Sequence, residues 1–249
     1  MATLERARSN DDLLFRQHYS RYHFSQRFTK GGNVLDLGCG EGYGSELLMS
    51  SCSTLTSLDI SEEATQITLG KTGKRVVRAD GRVIPFRDNS FDAVVSFEVF
   101  EHIENVEVYL AEVFRVLDEG GAFIVSTPNV ETYPMAGLNP YHIKEYTISE
   151  VKELLTDVGL TYKTFYAQTP NNKLVEKLQN SSLLQLIMKM KRKVGIHGDI
   201  LPSFFQKKMH TAIAGGKLEK FNPNDFTYEE NQYEGAELVY IATKGLQTR

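Results

Sequence analysis

The chain has 249 residues, 41% of them apolar, enough for one large core or one core with an appendage. A formal net charge of -4 and a pI near 5.9 argue against broad electrostatic capture of nucleic acid and favour a small or neutral partner. The opening MATLERARSNDD lacks the apolar centre of a signal peptide, no run of about 18 apolar residues offers a membrane span, and Cys39 and Cys52 make neither a disulfide framework nor a zinc set, so a cytoplasmic protein is expected.

Residues 1–32 read as a helical lead-in. Short β-branched runs then alternate with helical patterns, the signature of right-handed crossovers building a parallel sheet. Strands are expected at NVLDL (33–37), TLTSLD (54–59), RVVRAD (75–80), FDAVVSF (91–97) and AFIVST (122–127). Ser61 caps one helix, with Glu62 and Glu63 in its first turn, and VEVYLAEVFRVL (106–117) repeats apolar residues at helical spacing before Gly120 and Gly121. Thr147 and Glu150 make a capping box for 148–159, which Gly159 ends. TYKTFYA (161–167) and AELVYIAT (236–243) finish the sheet. The main domain is thus 33–167 plus 236–249. Residues 168–235, about seventy without a strand pattern, are too long for an ordinary connection and form an insertion, a lid or acceptor-binding region.

The stretch VLDLGCGEGYGSELL (34–48) runs from strand through glycines into helix, the outline of a nucleotide-type site. A dinucleotide would bring pyrophosphate to the helix start; S-adenosylmethionine would bring a sulfonium, an ammonium and a carboxylate. Asp36, two residues before Gly38, and Glu41 inside the turn would repel phosphates and pair with an ammonium. The dinucleotide fingerprint agrees only in part and stays an alternative: it wants glycine where Tyr43 stands when counted from Gly38, and where Ser45 stands when counted from Gly40. Asp59, closing the second strand before Ile60, suits ribose hydroxyls in either case, and Asp80, closing the third before Gly81, suits an adenine amine or a solvated turn.

The successive motifs VLDLGCGEGYGS, LDIS, RADGRVIPFRDNSFDAVVSFEVFEHI and EVFRVLDEGGAFIVSTPN resemble those of class I S-adenosylmethionine-dependent methyltransferases, over about residues 17–167 and again in the last strand. The resemblance implies an α/β, doubly wound, mostly parallel seven-stranded Rossmann-like sheet whose final strand is antiparallel. It also implies a cofactor pocket lined by Asp36, Gly38, Gly40, Asp59, Ile60, Asp80, Gly81 and Phe97, with S-adenosyl-L-methionine as methyl donor. QHYSRYHFSQRF is similar to a lead-in of bacterial methyltransferases of cell-surface polysaccharides. In it His18, Arg21 and Tyr22 either cover the methionine end of the pocket or pack a leading helix on the sheet.

FEVFEH is delivered by the fourth strand to the carboxyl edge of the sheet, where open α/β folds place ligands. Glu98, Glu101 and His102 are spaced i, i+3 and i+4, so one helical turn would put them on one face, and His142, after the fifth strand, could join them. Two carboxylates and two imidazoles can hold a divalent ion, magnesium or manganese, at Glu98, Glu101, His102 and His142. Alternatively His102 or His142 is the general base, with Glu98 in a supporting catalytic role. A third reading has Glu101 and His102 merely solvating a helix start. The pattern resembles that of small-RNA 3'-terminal 2'-O-methyltransferases, partly that of ubiquinone-biosynthesis O-methyltransferases, and that of glycan-pathway methyltransferases.

The leading expectation is O-methylation of a sugar or other small-molecule hydroxyl in surface-glycan or natural-product synthesis. Metal-dependent methylation of RNA termini and a non-catalytic cofactor-binding module are the alternatives. SSLLQLIMKMKRKVG (181–195), with Lys189, Lys191, Arg192 and Lys193, reads either as a lid helix or as an amphipathic contact with an anionic membrane carrying a lipid-linked acceptor.

Overall fold

The computed structural model describes residues 13–73, 75–132, 141–170, 226–233, 235 and 237–246. The expected lid or membrane helix at 181–195 and most of the 168–235 insertion lie outside them. Helix α1 (Leu13–Thr29) leads into β1 (Asn33–Leu37), α2 (Tyr43–Leu48), β2 (Thr54–Asp59), α3 (Glu62–Thr72), β3 (Arg75–Arg78) and β4 (Phe91–Phe97). A single 3₁₀ turn (Phe100–His102) precedes α4 (Val106–Val116), β5 (Leu117–Pro128), α5 (Ile148–Asp157), β6 (Leu160–Pro170), β7 (Phe226–Glu230) and β8 (Glu237–Lys244).

The strands form one sheet in the order β3-β2-β1-β4-β5-β8-β6-β7, parallel from β3 to β5, with β8 antiparallel to both of its neighbours. The expected seven strands are therefore eight. The extra one, β7, pairs antiparallel with β6, Phe226 opposite Pro170 and Glu230 opposite Tyr166. FTYEE alternates only over Phe226 and Tyr228 within a polar stretch, too short a pattern to read as a strand, and its pairing with β6 at the sheet edge sets its conformation. The interval expected to be strandless thus holds strand at both of its ends.

Local chemistry sets the helix boundaries. Ser61 Oγ accepts the Ala64 N–H at the start of α3, and Gly73, at φ 58°, closes it. Thr147 and Glu150 form the expected capping box on α5. Val106, Tyr109, Leu110, Val113 and Val116 bury one stripe of α4. Successive residues of a strand face opposite layers. Leu35 and Leu37 therefore join the apolar layer under α4 and α5, while Val34 joins Tyr22, Phe24 and Leu48 under α1 and α2. Among the described residues no helix is long and apolar enough to cross a membrane.

Candidate active site at the carboxyl edge

The carboxyl ends of the parallel strands open into a cavity of about 440 Å³ that reaches from Asp59 and Asp80 to His142 and Glu237. Gly38 (φ 81°) and Gly40 (φ 53°) take left-handed conformations in the bend after β1. A side chain on Gly38 would come within 2.3 Å of Val99 Cγ2, so the bend packs directly on the end of β4. Asp59 accepts the Gly40 N–H at 2.9 Å and the Ser61 N–H at 2.8 Å, tying the bend to the next helix. Ile60, half exposed, gives the cavity an apolar wall. Asp80 is held by Arg82 at 2.7 Å, whose hydrogen bond keeps the Asp80 carboxyl below its usual range. Gly81 also lines the cavity, and a Cβ there would meet Tyr109 at 2.8 Å.

Asp36 corrects the expected lining. It is wholly buried, does not line the cavity, and accepts hydrogen bonds from Tyr22 (3.0 Å) and Ser45 (2.5 Å). Burial raises its carboxyl to about 6 against the opposing effect of those hydroxyls. Gly44 explains how α1 reaches it: a Cβ at that position would fall 2.1 Å from the Tyr22 ring. Tyr22 in turn packs edge-on against Phe97, whose ring lines the same cavity. The lead-in helix therefore packs on the sheet and also, through His18 and Tyr22, walls the cavity. Cys39 is a free buried thiol beside Thr68, raised by burial.

The structure brings Glu101, His102 and His142 together, each offering a ligand atom within 4.8 Å of the others. Glu98 departs from the expected shared face with Glu101 and His102. Its φ of 55° breaks the chain out of helical register, and the 3₁₀ turn begins only after Val99. Its Oε1 instead accepts the Ser126 hydroxyl at 2.7 Å and lies 3.6 Å from Arg21. Burial alone would raise the Glu98 carboxyl, but Arg21 first, and the Ser126 hydroxyl with it, hold it below the usual range.

The three grouped residues are firmly positioned. Tyr141 O accepts from His102 Nδ1 at 2.9 Å, Glu145 accepts from His142 Nδ1 at 2.7 Å, and the Glu101 carbonyl accepts from Ile143 N–H at 2.8 Å. A carbonyl only accepts, so His102 Nδ1 carries its hydrogen and a neutral ring keeps its lone pair on Nε2. Glu101 is 1% exposed, and neither oxygen has a hydrogen-bond partner among the described residues. Burial first, and Glu98 second, push its carboxyl well above the usual range. Sequence reading missed Glu237, at the head of β8. It is buried, lines the cavity and lies 3.5 Å from Arg21. The signal was an acid opening an apolar last strand.

Residues 35–125 match the family model described as a methyltransferase domain. The chain is 36% identical over 156 residues to a "Probable S-adenosylmethionine-dependent methyltransferase" of Mycolicibacterium smegmatis, covering 61% of this chain and 60% of that protein. It is 33% identical over 123 residues to a fatty-acid O-methyltransferase of the same organism, covering 47% and 45%. The chain thus spans less than two thirds of the length of these curated relatives. A solved S-adenosylmethionine-dependent methyltransferase from Archaeoglobus fulgidus shares the fold, with a TM-score of 0.61 at 18% identity over 93% of each chain.

Proposed function

We propose, from the premise that this chain carries a class I S-adenosylmethionine-dependent methyltransferase domain, that it methylates a hydroxyl oxygen of a sugar or another small molecule in the cytoplasm. The observation that carries this reading is the meeting of Glu101, His102 and His142 beside the cavity. The donor supplies an electrophilic methyl group on a sulfonium, already a good leaving group, so transfer asks the protein chiefly for alignment. An alcohol, unlike an amine, also needs help in losing its proton. His142 is suited to accept that proton at Nε2, with Glu145 on Nδ1 stabilising the imidazolium. His102, oriented by the Tyr141 carbonyl, positions the hydroxyl next to it.

The same three residues fit a divalent ion. A buried carboxylate without a hydrogen-bond donor is answered by a cation, and both imidazoles have Nδ1 fixed by an acceptor, as metal-bound histidines do. Glu101, His102 and His142 would hold the ion, which would supply Lewis-acid stabilisation of a developing alkoxide. Two imidazoles with one carboxylate favour manganese, zinc or iron over magnesium. The name of the fatty-acid O-methyltransferase relative supports an oxygen acceptor. The hydroxyl-rich class is supported by the polar end of the cavity at Glu101, His102 and His142, which suits hydroxyl groups better than acyl chains.

Calorimetry on the full chain should show binding of S-adenosylhomocysteine and none of NAD. Labelled donor should deliver methyl groups to sugar or glycan extracts. Binding of NAD instead, or label appearing on RNA termini alone, reverses the reading.

A further inference from the structure

We propose that Glu98, supported by Glu237, receives the α-ammonium of the methyl donor's methionine part, the role that the sequence pattern offered to Asp36; the assignment rests on the methyltransferase reading above. Asp36 has both oxygens closed by Tyr22 and Ser45 and stands behind the cavity wall. Glu98 and Glu237 stand in that wall, whereas Arg21, the guanidinium that pairs with both among the described residues, is wholly buried and does not line the cavity. Arg21 lies 3.6 and 3.5 Å from the two carboxyl groups, too far for a close hydrogen bond to either, and its Nε and Nη2 have no hydrogen-bond partner among the described residues. Burial first, and Glu98 second, push the Glu237 carboxyl well above the usual range, so Glu237 shares a proton with Glu98 and an arriving ammonium takes the place of that proton between the two carboxyl groups. His18, in the same wall, adds no positive charge because burial and Arg21 push it down to about 3.

Position supports the same assignment. β1 lies between β2 and β4, so Asp59 at the end of β2 and Glu98 just beyond β4 are two strand spacings apart, about 10 Å. That interval suits a ribose held at Asp59 and an amino acid reaching across the glycine bend. The bend itself touches Val99, the residue after Glu98. Glu98 also sits in a left-handed conformation that only a few per cent of residues other than glycine adopt, and such strain concentrates at ligand sites.

The experiment compares three probes on the full chain and on Glu98→Gln and Glu237→Gln: S-adenosylhomocysteine, its decarboxylated amine, and 5'-methylthioadenosine, which lacks the amino-acid part. Glu98→Gln should weaken the first two by about 10- to 100-fold and leave methylthioadenosine within about twofold. Glu237→Gln should follow the same pattern with a smaller factor. Equal loss of all three probes in both variants, or no loss of either amine, overturns the assignment. Failure of the unmodified chain to bind any of the probes would instead count against the methyltransferase reading.

Discussion

At the ends of β1 and β2 the polar groups are answered by the protein itself: Asp36 by two hydroxyls, Asp59 by two backbone N–H groups. At the ends of β4, β5 and β8 the situation is reversed. Arg21 Nε and Nη2, both Glu101 oxygens, Thr127 Oγ1 and Glu237 Oε2 are buried without a hydrogen-bond partner among the described residues. Each such atom costs about 1–3 kcal/mol, and folded proteins keep few of them. The first region is pre-shaped and closed; the second is held in a costly state that a cation, ordered water or a polar ligand relieves. On the reading proposed above, the first part holds the adenosine end of the donor, and the second faces its amino-acid part and the acceptor.

The largest effect should separate the two regions kinetically. His142→Ala should lower turnover about 10²–10⁴-fold while leaving S-adenosylhomocysteine affinity nearly unchanged. Asp59→Ala should weaken that affinity and, at saturating donor, spare turnover. Equal loss of binding in both would erase the distinction.

Asp36 tests the closed region through pH. Its carboxyl is raised to about 6 by burial, above the value of the unfolded chain, so the folded state holds the proton more tightly. The stability it contributes is fully present below about pH 4 and is lost as pH rises through about 6. Urea unfolding should show native protein losing about 3 kcal/mol relative to Asp36→Asn between pH 4 and 7. A pH-independent difference between the two proteins would refute this.

The smallest effect belongs to the open region. Glu101→Leu removes two orphaned oxygens and should stabilise the apo chain by about 1–3 kcal/mol, a rise of several degrees in Tm. It should also abolish any rise in Tm on adding manganese or zinc. Destabilisation by Leu would mean that Glu101 is answered after all.

Much of the closed region was legible from local rules. β1 and β2 fall where the runs at 33–37 and 54–59 place them, and beyond that region β4 at 91–97 and the capping box of Thr147 and Glu150 also stand as read. The misses have physical causes. The i, i+3, i+4 spacing of Glu98, Glu101 and His102 presumed a helix, and one left-handed residue at Glu98 removed it from the group. Asp36 looked exposed because the sequence does not show that Tyr22 crosses Gly44 to cover it. β7 offers only Phe226 and Tyr228 as a pattern, and its pairing with β6 makes it a strand.

The place of β8 has a bearing on how the molecule is made. It comes after every other described strand in the chain, yet lies between β5 and β6. During synthesis on the ribosome, β5 and β6 emerge with exposed ladders that wait for a segment tens of residues later, and pairings at such separation form slowly. Glu237 arrives with that segment. A nascent chain can thus complete its glycine bend early, but it acquires the second acid of the reactive edge only at the final closure of the sheet.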